Sequence, residues 1–178
     1  STVVEDFQKY ITSAFVINDR GETVDGQDAF TVNVAAEAKK PYGERLLPVY
    51  ICNLPDAGTK YILPLAGMGL WGPIWGYVSL DADGKTIYGA FFDHQGETPG
   101  LGAEITKPEF TGQFDGKQMF KNGDFMPVAV VKKGQLPVGG EDYVDGISGG
   151  TITSKGVSAM LDDCLKPYKA YLETLSKQ

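Results

Sequence analysis

The residues best suited to chemistry lie together near the C-terminus, in the run Asp145-Gly146-Ile147-Ser148-Gly149-Gly150-Thr151-Ile152-Thr153-Ser154. Its glycines let the backbone approach a ligand closely and adopt positive φ. Hydroxyls are clustered at Ser148, Thr151, Thr153 and Ser154. An apolar stripe at helical period follows, so the run opens a helix whose unpaired N–H groups and positive dipole end suit a phosphate. The same pattern also describes a plain glycine turn with a Ser or Thr cap on that helix. A second run, Glu97-Thr98-Pro99-Gly100-Leu101-Gly102, is a Pro-Gly turn that can also do chemistry. Gly100 and Gly102 admit a flat ring, Leu101 can cover one of its faces, and Thr98 with nearby N–H groups can bond a polar edge. A third, Gly69-Leu70-Trp71-Gly72-Pro73-Ile74-Trp75-Gly76-Tyr77, sets two tryptophans ahead of and within a strand, where they serve core packing or ring stacking equally well.

Taken in order, these runs resemble the FMN-binding domain family. Its flavinylation signature is an Asp, two variable residues, Ser or Thr, Gly, Ala, then Thr or Ser. Asp145, Ser148 and Gly149 match, and Gly150 replaces the usual Ala with a residue that stays small but loosens the backbone. The resemblance implies that Thr151 carries FMN through a phosphoester installed by a magnesium-dependent flavin transferase, with Asp145 read by that enzyme. It also implies that the Glu97–Gly102 loop lies against the isoalloxazine ring, with Glu97, Thr98, Gly100, Leu101 and Gly102 as contacts and Trp71 stacking opposite Leu101. Lys132 or Lys133 would then face the flavin phosphate, while either lysine taken alone reads better as part of a solvated pair. The Trp71 region brings the chain nearest to the C subunits of sodium-translocating NADH:quinone oxidoreductases. The G subunits of Rnf-type complexes share the Glu97–Gly102 loop but fit the Trp71 region less well. The implied function is covalent FMN-mediated electron transfer within a membrane-bound complex, between other subunits. The domain would hang from an N-terminal transmembrane helix on the outer (periplasmic) face of the bacterial cytoplasmic membrane. Lacking that helix, this chain is expected to be a truncated soluble form. The resemblance spans roughly residues 67–177 and is diffuse over 1–66.

The elements that must position these runs follow from periodicity. Val3, Val4, Phe7, Ile11, Ala14 and Phe15 fall at helical spacing and predict an amphipathic N-terminal helix. Alternation or β-rich composition predicts strands at Thr31–Ala35, Leu47–Leu54, Tyr61–Leu65, Pro73–Leu80, Thr86–Phe92 and Phe125–Lys132, with a hairpin turn at Asp83-Gly84. Lys107-Pro108 suits the first turn of a short helix running towards Phe114. Val157, Leu161, Cys164, Leu165, Tyr168, Leu172 and Leu175 form one helical stripe, which Pro167 should kink or break. The fold class is therefore α+β: a single domain, mainly antiparallel sheet, with N- and C-terminal helices.

Composition narrows the remaining classes. The 178 residues carry a formal net charge of -7 and no basic run, which argues against a nucleic-acid partner. One histidine and two distant cysteines, with no Cys-x-x-Cys, make a zinc site improbable. Cys52 and Cys164 are compatible with either a disulfide or two buried thiols. No Gly-x-Gly-x-x-Gly opens a helix after a strand, so NADH would be oxidised elsewhere. Gly146-Ile147-Ser148-Gly149-Gly150 matches Gly-x-Ser-x-Gly literally, but His94 precedes Ser148, against the hydrolase order. A His94, Asp115 or Asp124, Ser148 order remains formally open for a chymotrypsin-like hydrolase. A cofactor-free binding module is the remaining alternative.

Overall fold

A computed structural model describes residues 7–176. Five strands form an antiparallel meander: β1 (Ile11–Ile17), β2 (Leu47–Leu54), β3 (Gly58–Met68), β4 (Pro73–Asp81) and β5 (Ile87–His94). Two short ladders follow, β6 (Phe120–Lys121) with β7 (Asp124–Phe125), and β8 (Ala129–Val131) parallel to β9 (Tyr143–Asp145). The helices are α1 (Val34–Glu37), α2 (Pro108–Thr111), α3 (Thr151–Leu165) and α4 (Lys169–Leu175). The α+β class with a mainly antiparallel sheet is thus the observed one.

The strands form where side chains can bury one face. In β4, Ile74, Gly76, Val78 and Leu80 are buried in alternation, and in α3 the stripe Val157, Met160, Leu161, Cys164 and Leu165 turns inward. Helix α3 packs this stripe on β3 and β8. Phe92, Phe110 and Phe114 close the core beneath α2, with ring centroids 5.3–5.7 Å apart. Each of these fully buried rings contributes about 1.5–3 kcal/mol by leaving water. Pro167 does break the C-terminal helix: residues Lys166–Tyr168 tighten to a 3-10 turn between α3 and α4. At the predicted hairpin turn, Gly84 takes φ 70° and Asp83 Oδ1 accepts from the N–H groups of Lys85 (2.8 Å) and Thr86 (3.0 Å).

Three expectations are corrected. The predicted N-terminal helix does not include Ile11–Phe15, which belong to β1 and pair with β2, Phe15 opposite Val49. β-branched residues beside a free sheet edge gain more from the ladder than from a helical stripe. Residues 7–9 are helical, while Val3 and Val4 lie outside the described residues. Thr31–Ala35 is not a strand, because Asp28 and Asn33 cap a 3-10 turn and α1 by accepting from Phe30 N–H and Ala36 N–H. The strand expected over Phe125–Lys132 is split into β7 and β8, with Pro127, which has no N–H for a ladder, in the gap. Cys52 and Cys164 are both buried free thiols. Burial pushes both thiols above their ordinary range.

Candidate functional site

The β3–β4 hairpin ends in a tight tip, closed by the Gly69 N–H donating to Gly72 O at 2.8 Å. The tip exposes Leu70 and Trp71, the latter 68% accessible. After β5 the chain turns through Thr98–Leu101, with Gly100 at φ 78°. From β9 it turns again through Ile147–Gly150 into α3, with Gly149 at φ 77°. These three turns surround one cleft of about 250 Å³. Leu70 and Trp71 form one wall, Thr98, Leu101 and Gly102 a second, and Gly149 to Thr153 the third. Trp71 is not a core residue. It and Leu101, which is 44% exposed, are apolar surfaces facing a common space.

The third wall is the start of α3. Its N-cap is Gly150, with no side-chain cap hydrogen bond, so the Ser or Thr cap allowed by the sequence does not form. The first turn of this helix therefore presents uncapped backbone N–H groups, and an anion there gains about 0.3–1 kcal/mol from the dipole. Thr151 is exposed on that turn, whereas Thr153 and Ser154 are buried. The Ser154 Oγ accepts from Ile147 N–H at 2.8 Å and so holds the turn closed. Gly102 and Gly149 have no room for a side chain. A Cβ on Gly102 would collide with the Thr153 hydroxyl, and one on Gly149 would sit 2.8 Å from the Leu101 methyl.

Beneath the cleft lies Glu97, 3% exposed. Its Oε1 accepts from Leu70 N–H at 2.8 Å and from the Thr153 hydroxyl, and its Oε2 accepts from Trp71 N–H at 2.9 Å. Its own N–H donates to His94 Nδ1 at 2.9 Å. Burial pushes the Glu97 carboxyl up, but the Thr153 hydroxyl with the Trp71 and Leu70 N–H groups outweighs burial and holds it below the usual range.

Of the sequence-predicted site residues, Trp71, Thr98, Leu101, Gly102, Gly149, Gly150 and Thr151 line the cleft. Glu97 lies under the floor, and Gly100 shapes the turn without lining it. Ser148 is exposed beside the cleft. Asp145 closes β9, where Gln113 brackets its backbone: Asp145 N–H donates to Gln113 Oε1 (2.9 Å) and Gln113 Nε2 donates to Asp145 O (3.1 Å). Lys132 and Lys133 are exposed after β8 and are not lining residues. Thr153 was missed by sequence reasoning. It falls four residues before Val157 on the buried stripe, which marks it as inward-facing where Thr151 is not. A hydrolase is not built here: among the described residues Ser148 makes no hydrogen bond to His94, whose Nδ1 is occupied by Glu97 N–H. No group of His, Cys, Asp and Glu among the described residues is arranged for a metal.

An exposed tryptophan and a leucine lining one cleft, with an uncapped helix start and an exposed threonine on its edge, have the chemistry that suits a flat ring bearing a phosphate. The comparisons agree with that class. Residues 69–166 match the model of the FMN-binding domain family. The C subunit of the Na(+)-translocating NADH-quinone reductase of Vibrio vulnificus is 38% identical over 176 residues, 90% of this chain and 68% of the relative. Its counterpart in Chlamydia trachomatis is 39% identical over 136 residues, covering 68% of this chain and 43% of the relative. Among solved structures, the C subunit of the Parabacteroides distasonis reductase superposes with a TM-score of 0.85 at 53% identity, covering 95% of this chain and 81% of that one. NqrC of Shewanella oneidensis superposes at 0.75 with 26% identity, over 98% and 88% of the two chains. The chain belongs to the FMN-binding domain family, in its branch of Na(+)-translocating NADH-quinone reductase C subunits.

Proposed function

We propose that this chain is the FMN-carrying electron-transfer subunit of a sodium-translocating NADH:quinone oxidoreductase, with FMN esterified to Thr151. The observation that carries the reading is the position of Thr151: exposed, on the uncapped first turn of α3, at the edge of a cleft walled by Trp71 and Leu101. Thr153 is engaged with Glu97 and Ser154 with Ile147 N–H, and the exposed Ser148 is not among the cleft-lining residues, which favours Thr151 as the nucleophile. On esterification Thr151 Oγ1 loses its proton and bonds to the flavin-side phosphorus of a flavin dinucleotide, whose phosphoanhydride bond breaks and releases a nucleoside monophosphate. A flavin transferase is the maturation partner, and Asp145 and Ser148 are the outer residues it reads.

FMN, once bound, supplies the electron-accepting and electron-donating chemistry. The chain's own residues hold and shield it. Trp71 and Leu101 cover the ring, Thr98 and the adjacent N–H groups bond its polar edge, and the helix start neutralises the phosphate. The flavin-carrying part spans residues 67–177, and ahead of it β1, β2 and most of β3 extend the sheet. The working partners are the other subunits of the complex, and the domain sits on the outer face of the cytoplasmic membrane. No helix among the described residues is long and apolar enough to cross a membrane.

Intact mass with peptide mapping tests the reading, on protein co-expressed with a flavin transferase. A gain equal to FMN less water on the Thr151 peptide is expected, retained in Thr151→Ser and absent in Thr151→Ala. No gain beside an active transferase overturns it.

A further inference from the structure

The three turns around the cleft come from distant parts of the chain, and the β4–β5 ladder that joins the first two at their bases stops at Pro73 and Gln95, short of the tips. The β3–β4 tip would leave the N–H groups of Leu70 and Trp71 without strand partners, since the pairing of β3 with β4 ends at Met68 and Pro73. The start of α3 has no side-chain cap to fix it from its own side. Both are instead bonded to one group. Glu97 belongs to the second wall, takes Leu70 N–H and Trp71 N–H from the first, and takes the Thr153 hydroxyl from the third. Space around it is filled. A Cβ on Gly69 would run into the carboxylate, and a Cβ on Gly102 would run into Thr153 Oγ1 with Glu97 Oε1 at 3.2 Å. The His94 Nδ1 that receives the Glu97 N–H fixes the root of the side chain.

We infer that Glu97 is the positioning residue of the flavin site: its buried carboxylate holds Trp71, Leu101 and the α3 start at a fixed separation, and so sets the slot into which the ring fits. It touches neither ring nor phosphate in this role. A buried carboxylate with several charge-assisted bonds is a stiff joint, because losing any one donor leaves a polar group unsatisfied in a low-dielectric site. Glutamine has the same shape but replaces one acceptor oxygen by a donor, so it cannot accept from all three partners: an oxygen at the Oε1 place keeps Leu70 and Thr153 and sets an NH2 group against Trp71 N–H. Thr153→Val removes only the helix-side donor and keeps the volume.

This inference rests on the reading of the cleft as a flavin site, and its test separates the two. Amide hydrogen exchange is measured on the flavin-free protein, where attachment plays no part. In Glu97→Gln, protection at Trp71 is expected to fall at least tenfold and at Leu70 by less, while Val49 and Leu63 in the sheet keep theirs. In Thr153→Val the same two amides lose protection several-fold. On flavinylated protein, both variants are expected to lose half or more of the visible circular dichroism of the bound flavin, because the slot no longer fixes the ring. Wild-type protection at Leu70 and Trp71 in a folded Glu97→Gln overturns the inference. If Glu97→Gln does not fold, wild-type protection in Thr153→Val overturns it by the same measurement. A wild-type chain that never accepts FMN overturns the flavin reading alone, and the exchange result then stands by itself.

Discussion

Helix α3 passes close against the β3–β4 hairpin at Gly156, and Gly156→Ala sets two effects of opposite sign against each other. Within a helix, Gly to Ala is worth about 1 kcal/mol of added stability through backbone entropy. At this position an added Cβ would collide with Met68 O and lie 3.4 Å from Gly69 Cα. The colliding atoms are backbone, so no rotamer relieves them, and the helix or the hairpin tip must move. Overpacking of this kind costs about 2–3 kcal/mol. The net expectation is a loss of about 1–2 kcal/mol, or roughly 2–8 °C in Tm for a chain of this size. Urea unfolding followed by far-UV circular dichroism measures it as a lower midpoint with unchanged slope. Gly112→Ala is the control, because a Cβ there meets nothing within 4 Å and no positive φ is required. That variant should be neutral or gain about 0.5 kcal/mol. A Gly156→Ala protein as stable as wild type, or more so, refutes the packing argument and hands the position back to helix propensity.

Arg45 is 6% exposed and donates to the carbonyls of Ala38, Lys40 and Asp163 as well as the Asp163 carboxylate. Arg45→Ala is expected to cost about 3 kcal/mol by stranding those acceptors, against under about 1 kcal/mol for Asp163→Asn, read from urea midpoints. The Glu97 carboxyl, held below the usual range by its three donors, stabilises the fold above its unfolded-state value. That contribution drains as pH falls through the folded value. Wild type should therefore exceed Glu97→Gln by about 2 kcal/mol near neutral pH, and the gap should shrink as pH falls below the ordinary glutamate range. A gap independent of pH would show that the charge is not what holds the turns. Ser148, lacking a histidine partner, should give no adduct with a fluorophosphonate probe, and stoichiometric labelling there would restore the hydrolase alternative.

Local sequence sufficed wherever a pattern and its partner lay close together. The strands β2 to β5, the turn at Asp83-Gly84, the first turn at Pro108 and the break at Pro167 are all consequences of alternation, positive φ or a missing N–H within a few residues. Local pattern failed where a distant element decided. Ile11–Phe15 reads as a helical face until β2 offers it an edge. Val32 and Val34 read as a strand until Asp28 and Asn33 cap the backbone into turns. Pro127 divides a run of β-rich residues.

The candidate site divides the same way. By itself the sequence determined the three runs and the residue types that suit a flat ring and a phosphate, because glycine, hydroxyl and apolar residues carry those capacities anywhere. Only the tertiary structure decided which residues face the cleft. Helical geometry points Thr153 inward and Thr151 outward, although both are threonines in one hydroxyl-rich run. Folding also took Glu97 out of the set of surface contacts and put it beneath the floor, where chain segments 26 and 27 residues away in one direction and 56 in the other meet on its two oxygens. Spacing along the chain carries no record of that meeting, since a buried carboxylate is tolerated only once all its partners have arrived.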